Sequence, residues 1–279
     1  MKVLVTGAGG QLGRALGPAL RGHDVVAFEH AALDIADADA VTAAMRAHRP
    51  DVVVNAAAYN AVDRAESDRA AAFRGNAEGP RVLARASREA GAAILHVSTD
   101  YVFDGEKGAP YHENDRPNPL SVYGQSKLAG EEAVRAANPR HFVVRTAWVY
   151  AHGGKNFPLT ILDLAKKGPV RVVDDQRGSP TFAPHLAEAI ARLLETEVFG
   201  TWHLAGSGEA SWCELTTELF RLCGVNAAVT PVTTAEFPRP ARRPRQASLV
   251  SIRQPPLALP PWREGLASFA RGLVAKART

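Results

Sequence analysis

Tyr123 and Lys127 stand four residues apart in Val122-Tyr123-Gly124-Gln125-Ser126-Lys127-Leu128. On a helix, positions i and i+4 share a face, so both heads can reach one cleft. A phenol with its ordinary pKa of about 10 is a poor acid or base near neutrality. An ammonium beside it favours the phenolate and brings proton transfer within reach. Because the spacing also arises by chance, the pair needs company. Thr99 supplies it in His96-Val97-Ser98-Thr99-Asp100-Tyr101-Val102-Phe103. Its hydroxyl can hydrogen-bond a carbonyl and orient it for hydride attack; taken alone, Thr99 would only cap a strand.

A second constellation opens the chain. The strand-like run Lys2 to Thr6 leads into Gly7-Ala8-Gly9-Gly10-Gln11-Leu12-Gly13. Glycines at 7, 10 and 13 make GxxGxxG, with Leu12 where G-x-G-x-x-G would place glycine. Small residues allow a tight turn and close approach to a pyrophosphate, and the following helix N-terminus offers N–H groups and a positive dipole end. An ordinary glycine-rich turn would look similar; its place after the first strand of a βαβ pattern favours dinucleotide binding. Glu29 ends the second strand, where a carboxylate would hold ribose hydroxyls and repel a 2′-phosphate. That leans toward NADH, although a solvated strand-end glutamate reads equally well. Asp34, within Leu33-Asp34-Ile35, is placed to reach an adenine edge, and Ala56, Ala57 and Ala58 leave room beside a pyrophosphate.

The elements that must position these groups alternate. Strand-like runs fall at residues 2–6, 24–29, 51–55, 93–97 and 141–144. Helical patterns fall at 11–21, 37–48, 67–90 (broken near Gly79-Pro80) and 122–137. This order predicts an α/β fold: a Rossmann-type, doubly wound parallel sheet. After residue 150 the texture shortens, with a helix at 183–195, a strand at 201–204 and a helix at 211–223. Residues 1–150 are therefore expected to form a dinucleotide-binding domain, rejoined by elements near 165–195. Residues 151–279 would form mainly a smaller C-terminal substrate-binding lobe.

With 279 residues, 46% hydrophobic and 22% charged, the chain can bury a sizeable core and falls outside disordered classes. No apolar run approaches the roughly 20 residues of a spanning helix, and no signal-peptide pattern opens the chain, so a cytoplasmic protein without membrane contact is expected. Cys213 and Cys223 fall in one predicted helix, roughly 15 Å apart, beyond disulfide reach. The nine histidines show no zinc spacing, and no metal site is expected. The net charge of +4 favours an anionic partner. No nucleic-acid motif accompanies it, so a small phosphorylated ligand explains the excess better.

Taken together, VTGAGGQLG, RPDVVVNAAAYNAVDRAES, HVSTDYVFDG, NPLSVYGQSKLAGE, VVRTAWVY and DDQRGSPT resemble the extended short-chain dehydrogenase/reductase superfamily, and within it the dTDP-4-dehydrorhamnose reductase family. The resemblance implies reduction of the C4 ketone of dTDP-4-dehydro-L-rhamnose with NADH or NADPH. It implies Tyr123 as proton donor, Lys127 as its tuner and Thr99 as the group positioning the ketone. Gly7, Gly10, Gln11 and Leu12 would line the pyrophosphate, Asp34 and Ile35 the adenine, and Ala57, Ala58, Tyr59 and Asn60 the middle of the cofactor. Val102, Phe103, Trp148 and Asn156 would meet the nucleotide-sugar substrate. Arg239, Arg242, Arg243 and Arg245 make a basic loop suited to a diphosphate; Arg243 is the favoured contact. The family's RPxNSxL segment reads Arg243-Pro244-Arg245-Gln246-Ala247-Ser248-Leu249 here, and Asn60 stands where Thr is usual. Ala15 replaces a glutamate through which some members form a magnesium-bridged dimer, so a monomer or weak homodimer is expected.

Three other readings compete. A dehydratase or epimerase on the same fold would retain NAD, but dehydratases carry Glu where Tyr101 stands. A non-catalytic regulatory subunit of this fold is the second. The third is a ketoreductase for another nucleotide-linked deoxysugar.

Overall fold

The computed structural model describes residues 1–277. Strand β1 (Lys2–Thr6) is followed by α1 (Gln11–Ala19), β2 (Asp24–Phe28), α2 (Ala38–His48) and β3 (Val52–Asn55). The chain then forms α3 (Val62–Ala65), α4 (Arg69–Phe73), a π-helical turn over Arg74–Glu78, and α5 (Gly79–Glu89). Strand β4 (Ala93–Thr99), α6 (Val122–Ala137) and β5 (His141–Thr146) complete the first half. The second half runs β6 (Val149–Tyr150), α7 (Phe157–Ala165), β7 (Val170–Val173), β8 (Arg177–Gly178), β9 (Thr181–Phe182) and α8 (Ala183–Leu194). It ends with β10 (Gly200–His203), β11 (Ala210–Ser211), α9 (Trp212–Cys223), β12 (Val229–Val232) and α10 (Trp262–Ala277).

Six parallel strands form the central sheet in the order β10-β5-β4-β3-β1-β2. Both faces are covered, which explains the β-branched runs. Val3, Val5, Val52 and Val54 pack with Leu16, Leu186 and Ile190 from α1 and α8. Leu4, Val53 and Ile94 face the other way, onto Val41, Met45 and Leu83 from α2 and α5. This is the expected doubly wound α/β architecture. The strand order reverses between β1 and β3, and ligands in such sheets bind outside the carboxyl ends at that point.

The expected break near Gly79-Pro80 is present, and the later elements differ in part from the sequence expectation. The long helix at 67–90 is interrupted before Gly79-Pro80, by the π turn that ends at Glu78. Pro80 has no N–H to give to the preceding turn. The wider turn aims Asn76 inward, where its amide pairs with both backbone groups of Tyr59 and donates to Ser126 on α6 at 3.0 Å. Among the elements following residue 165, β7 pairs in parallel with β12, outside the main sheet. It is α8, packed on α1, and β10, beside β5, that return to the sheet. Outside the two faces of the sheet, Tyr150, Ile161, Leu219, Phe220, Trp262 and Phe269 gather in a separate core. No helix among the described residues is long and apolar enough to cross a membrane.

Candidate active site

The glycine turn is built for close approach. Gly7 has φ +73°, and a Cβ there would lie 2.5 Å from the Ala57 nitrogen across the β1/β3 switch point. A Cβ on Gly13 would strike the Gly7 carbonyl at 2.2 Å. Only glycine fits either position. Gly10 starts α1 with no side chain capping it, so the first N–H groups of the helix, at Gln11 and Leu12, are left for a ligand. A pyrophosphate suits that donor set. Gln11 also accepts from Asn156 Nδ2 at 3.0 Å, tying the turn to the loop before α7 that Asn156 caps.

The Glu29 carboxylate lies beside this turn, 3.0 Å from the Cβ position of Gly9. Asp34 pairs with Arg74 at 2.7 Å. The Arg74 hydrogen bond and the Ala36 N–H hold its carboxyl below the usual range. Ile35 is buried among Leu33, Val41 and Leu83, leaving its backbone as the part that can face a ligand. Ala57, Ala58 and Tyr59 are half-buried along the same edge and Asn60 is exposed.

Thr99 ends β4 and Tyr123 lies in the first turn of α6, which Ser121 caps by accepting from Gly124 N at 3.1 Å. A Cβ on Gly124 would meet the Tyr101 carbonyl at 2.2 Å. Glycine here lets the helix press onto the turn after β4, bringing Tyr101 and Tyr123 edge to face at 5.4 Å. Sequence reasoning missed Gly124, although it lies within the Tyr-x-x-x-Lys motif itself.

The electrostatics depart from the expected ammonium–phenol pairing. Burial raises the Tyr123 phenol above its ordinary value, and the neighbouring Thr99 hydroxyl offsets only part of this. Lys127 spends a hydrogen bond on the Val97 carbonyl at 2.6 Å. Burial brings its amine down to about 8, against a smaller upward pull from Glu131. The side chain of Asp100 is also fully enclosed. Burial raises it to about 7, its Oδ1 accepts from Thr99 at 2.9 Å, and its Oδ2 has no partner. The phenol is thus kept protonated, as a proton donor requires.

Next to this group lies a cavity of ≈ 360 Å³. Tyr101, Phe157, Ile161, Trp212 and Phe237 give it flat apolar walls, and Arg171, Arg239 and Arg243 give it positive charge. Arg243 makes a bidentate pair with Asp63 at 3.0 and 3.1 Å. Burial pushes the Asp63 carboxyl up, but the hydrogen bonds from Arg243 and Ala241 outweigh it and hold the group below its usual value. Trp148, in the left-handed region at φ +47°, stacks on Trp212 with centroids 3.4 Å apart. Val102 and Phe103 are fully buried with Tyr111 and Leu249, behind the wall rather than on it. Asp63 and Trp212 escaped the sequence reading. A larger hollow of ≈ 520 Å³, near Ala205, Ser248 and Leu257, contains none of the expected site residues.

Known proteins resemble the chain over nearly its full length. The chain is 45% identical to a dTDP-4-dehydrorhamnose reductase of Streptomyces griseus, covering 98% of this chain and 94% of that protein. It is 43% identical to a probable dTDP-4,6-dihydroxy-2-methyloxan-3-one 4-ketoreductase of Streptomyces antibioticus, covering 95% and 93%. The crystal structure of dTDP-4-dehydrorhamnose reductase from Bacillus anthracis in complex with NADP superposes with a TM-score of 0.95 at 37% identity, covering 97% and 99%. Residues 1–274 match the model of the RmlD substrate binding domain family, and the chain belongs to that family.

Proposed function

We propose that this chain reduces the C4 ketone of dTDP-4-dehydro-L-rhamnose to dTDP-L-rhamnose, with NADH or NADPH as cofactor. The observation that carries the reading is that the glycine cradle and Thr99 both lie at the carboxyl edge of the sheet, while Tyr101, packed on Tyr123, lines an apolar cavity edged with arginines. A cofactor held at the cradle by its pyrophosphate would supply the hydride from its reduced nicotinamide. Gln11 and Leu12 N–H groups hold the pyrophosphate, Asp34 the adenine side, and Ala58 and Tyr59 the middle of the cofactor. Tyr123, kept as a neutral phenol by burial, gives its proton to the oxygen that was the ketone. Thr99 stands beside the phenol, at the end of β4, and bounds the place of that oxygen. Trp148 and Trp212 offer a face for the sugar or base, and Arg243 offers a fork for the diphosphate.

Tyr101 stands where a dehydratase would carry Glu. Burial lifts its phenol to about 12, so it cannot stand in for that carboxylate. The Streptomyces antibioticus relative favours a second reading, a 4-ketoreductase for a different dTDP-linked deoxysugar. Either activity suits a cytoplasmic enzyme acting as a monomer or weak homodimer.

The deciding assay follows absorbance at 340 nm with dTDP-4-dehydro-L-rhamnose made in situ and NADH or NADPH. Oxidation with dTDP-L-rhamnose as product supports the first reading. Failure with this sugar alongside turnover of another dTDP-4-ketosugar supports the second. No turnover with any ketosugar, in folded protein, overturns both.

A further inference from the structure

Beneath the site runs a chain of buried polar groups that the reaction does not directly require. Asn55 at the end of β3 accepts from the Thr6 hydroxyl at 2.8 Å and from the Ala57 N–H at 3.1 Å, both through Oδ1. A backbone N–H can only donate, so the side-chain oxygen must lie on that branch. The Nδ2 amide therefore faces His96 Nδ1, 3.0 Å away. An amide NH₂ also only donates, so His96 Nδ1 must accept. Both Asn55 and His96 have no exposed surface. Burial and the nearby Lys127 hold His96 well below the ordinary imidazole range, so the ring is neutral. Its single proton then sits on Nε2.

That Nε2–H faces Lys127 Nζ at 3.4 Å. Against an ammonium, this places a donor opposite a donor. Against an amine, the lysine lone pair accepts from His96 while an N–H still reaches the Val97 carbonyl at 2.6 Å. We propose that His96, fixed by Asn55 in its Nε2–H tautomer, is a positioning residue that favours the uncharged amine of Lys127 and makes this lysine a proton store rather than a fixed charge. The kinetic consequence rests on the reductase reading. Ketone reduction consumes one proton per turnover, taken from the Tyr123–Lys127 pair, and the amine left on Lys127 is the form that His96 accommodates.

Charges on α6 and on the elements packed against it have partners of their own. On α6, Glu131 bonds Arg145 of β5 and Arg135. Asp100, in the turn after β4, bonds Thr99. From the turn after α3, Glu66 accepts the Val122 N–H, and Arg69 on α4 bonds Gln125. In the π turn and α5, Glu78 pairs with Arg81, and Arg85 with Glu89.

Two measurements test the proposal, the first without cofactor or substrate. In protein carrying ¹⁵N-histidine, with the His96 signals assigned by their loss in His96→Phe, the ring should show Nε2–H and a bare Nδ1 from pH 6 to 9. A proton on Nδ1 overturns the proposal. In protein carrying ¹³C-lysine, the Lys127 Cε resonance, assigned by its loss in Lys127→Met, is titrated in the wild type and in Asn55→Asp. The carboxylate that Asn55→Asp introduces only accepts, so it should draw the imidazole proton to Nδ1 and turn the Nε2 lone pair toward Lys127. The Lys127 midpoint should rise by about one pH unit or more, and the basic limb of the kcat profile should move with it. An unmoved or lowered midpoint overturns the proposal. If Asn55→Asp does not fold, the tautomer measurement decides alone. A failed reductase reading would remove only the kcat profile, leaving both spectra to decide.

Discussion

Thr99 gives its hydroxyl proton to Asp100, Oγ1 to Oδ1 at 2.9 Å, and stands beside the Tyr123 phenol. The hydroxyl beside the proposed proton donor is therefore tied to a buried carboxyl. Burial raises that carboxyl to about 7, above the value it has in an unfolded chain. A raised acid contributes its stability fully below the unfolded pKa and loses it as pH climbs through the folded one. Wild-type protein should lose stability relative to Asp100→Asn between about pH 4 and 7. Thermal melts of the two proteins at pH 5 and pH 8 should show their difference in Tm changing by on the order of 5 °C in favour of the variant. A constant difference would mean that Asp100 is already ionised at pH 5.

Tyr123→Phe removes only the hydroxyl, leaving the ring against Tyr101. Turnover should fall by about 10²- to 10⁴-fold. NADH affinity, followed by fluorescence, should stay within about threefold, because one hydroxyl is lost from a cofactor site dominated by the glycine cradle. Full activity in this variant would exclude Tyr123 as the donor.

Glu29 is exposed and lies beside Gly9. A carboxylate at this place attracts two ribose hydroxyls and repels a 2′-phosphate. Glu29→Ala should move the ratio of kcat/KM for NADPH over NADH upward by on the order of tenfold. An unchanged ratio would return Glu29 to a solvated strand end.

Much of the fold could be read from local pattern. Val52, Val53 and Val54 announce a strand covered on both faces, and the glycines from Gly7 to Gly13 announce a tight turn into a helix. Tyr123 and Lys127 were legible for the same reason, since four residues on a helix fix their shared side. The rest depends on distance along the chain. Arg243 meets Asp63 across 180 residues, and no local pattern records that pairing. Trp212 stacks on Trp148 only because the start of α9 is brought against the residue that precedes β6. Val102 and Phe103 misled in the other direction. Apolar residues after a strand carrying functional groups look the same whether they line a cleft or support it, and only burial separates the two.

Arg243 points both nitrogens of its fork at Asp63, with only 17% of its side chain exposed. In the proposed reaction the same fork meets a diphosphate. Arg243→Lys keeps the charge but loses the two-pronged geometry. Its KM for the nucleotide sugar should rise about tenfold or more, with kcat within a few-fold, since charged hydrogen bonds contribute about 1.5–3 kcal/mol. A loss confined to kcat, with KM unchanged, would take Arg243 out of substrate binding.

Glu131 lies one helical turn beyond Lys127 and is completely buried. It accepts from Ser98 at 2.6 Å, from Arg145 at 2.8 and 2.9 Å, and from Arg135 at 2.6 Å. These bonds join α6 to β4 and β5, so the helix carrying Tyr123 is fixed to the strand carrying Thr99. Burial alone would lift this carboxyl; the bonds from Arg145 and the charges of both arginines overcome it and hold the group below its usual range. A depressed acid gives its stability above the unfolded pKa and loses it as pH falls through the folded one. Glu131→Gln keeps the shape but leaves Arg145, itself 2% exposed, as a buried charge without a counter-ion. Removing one partner of such a pair costs about 3–5 kcal/mol. The Tm at pH 7 should fall by on the order of 10 °C, while the exposed neighbour Glu132→Gln should change it little. Because the helix would also sit less firmly against β4, kcat of the surviving folded protein should fall while cofactor affinity holds. A Glu131→Gln protein as stable as the wild type would mean that the Arg145 charge is met by some group other than Glu131.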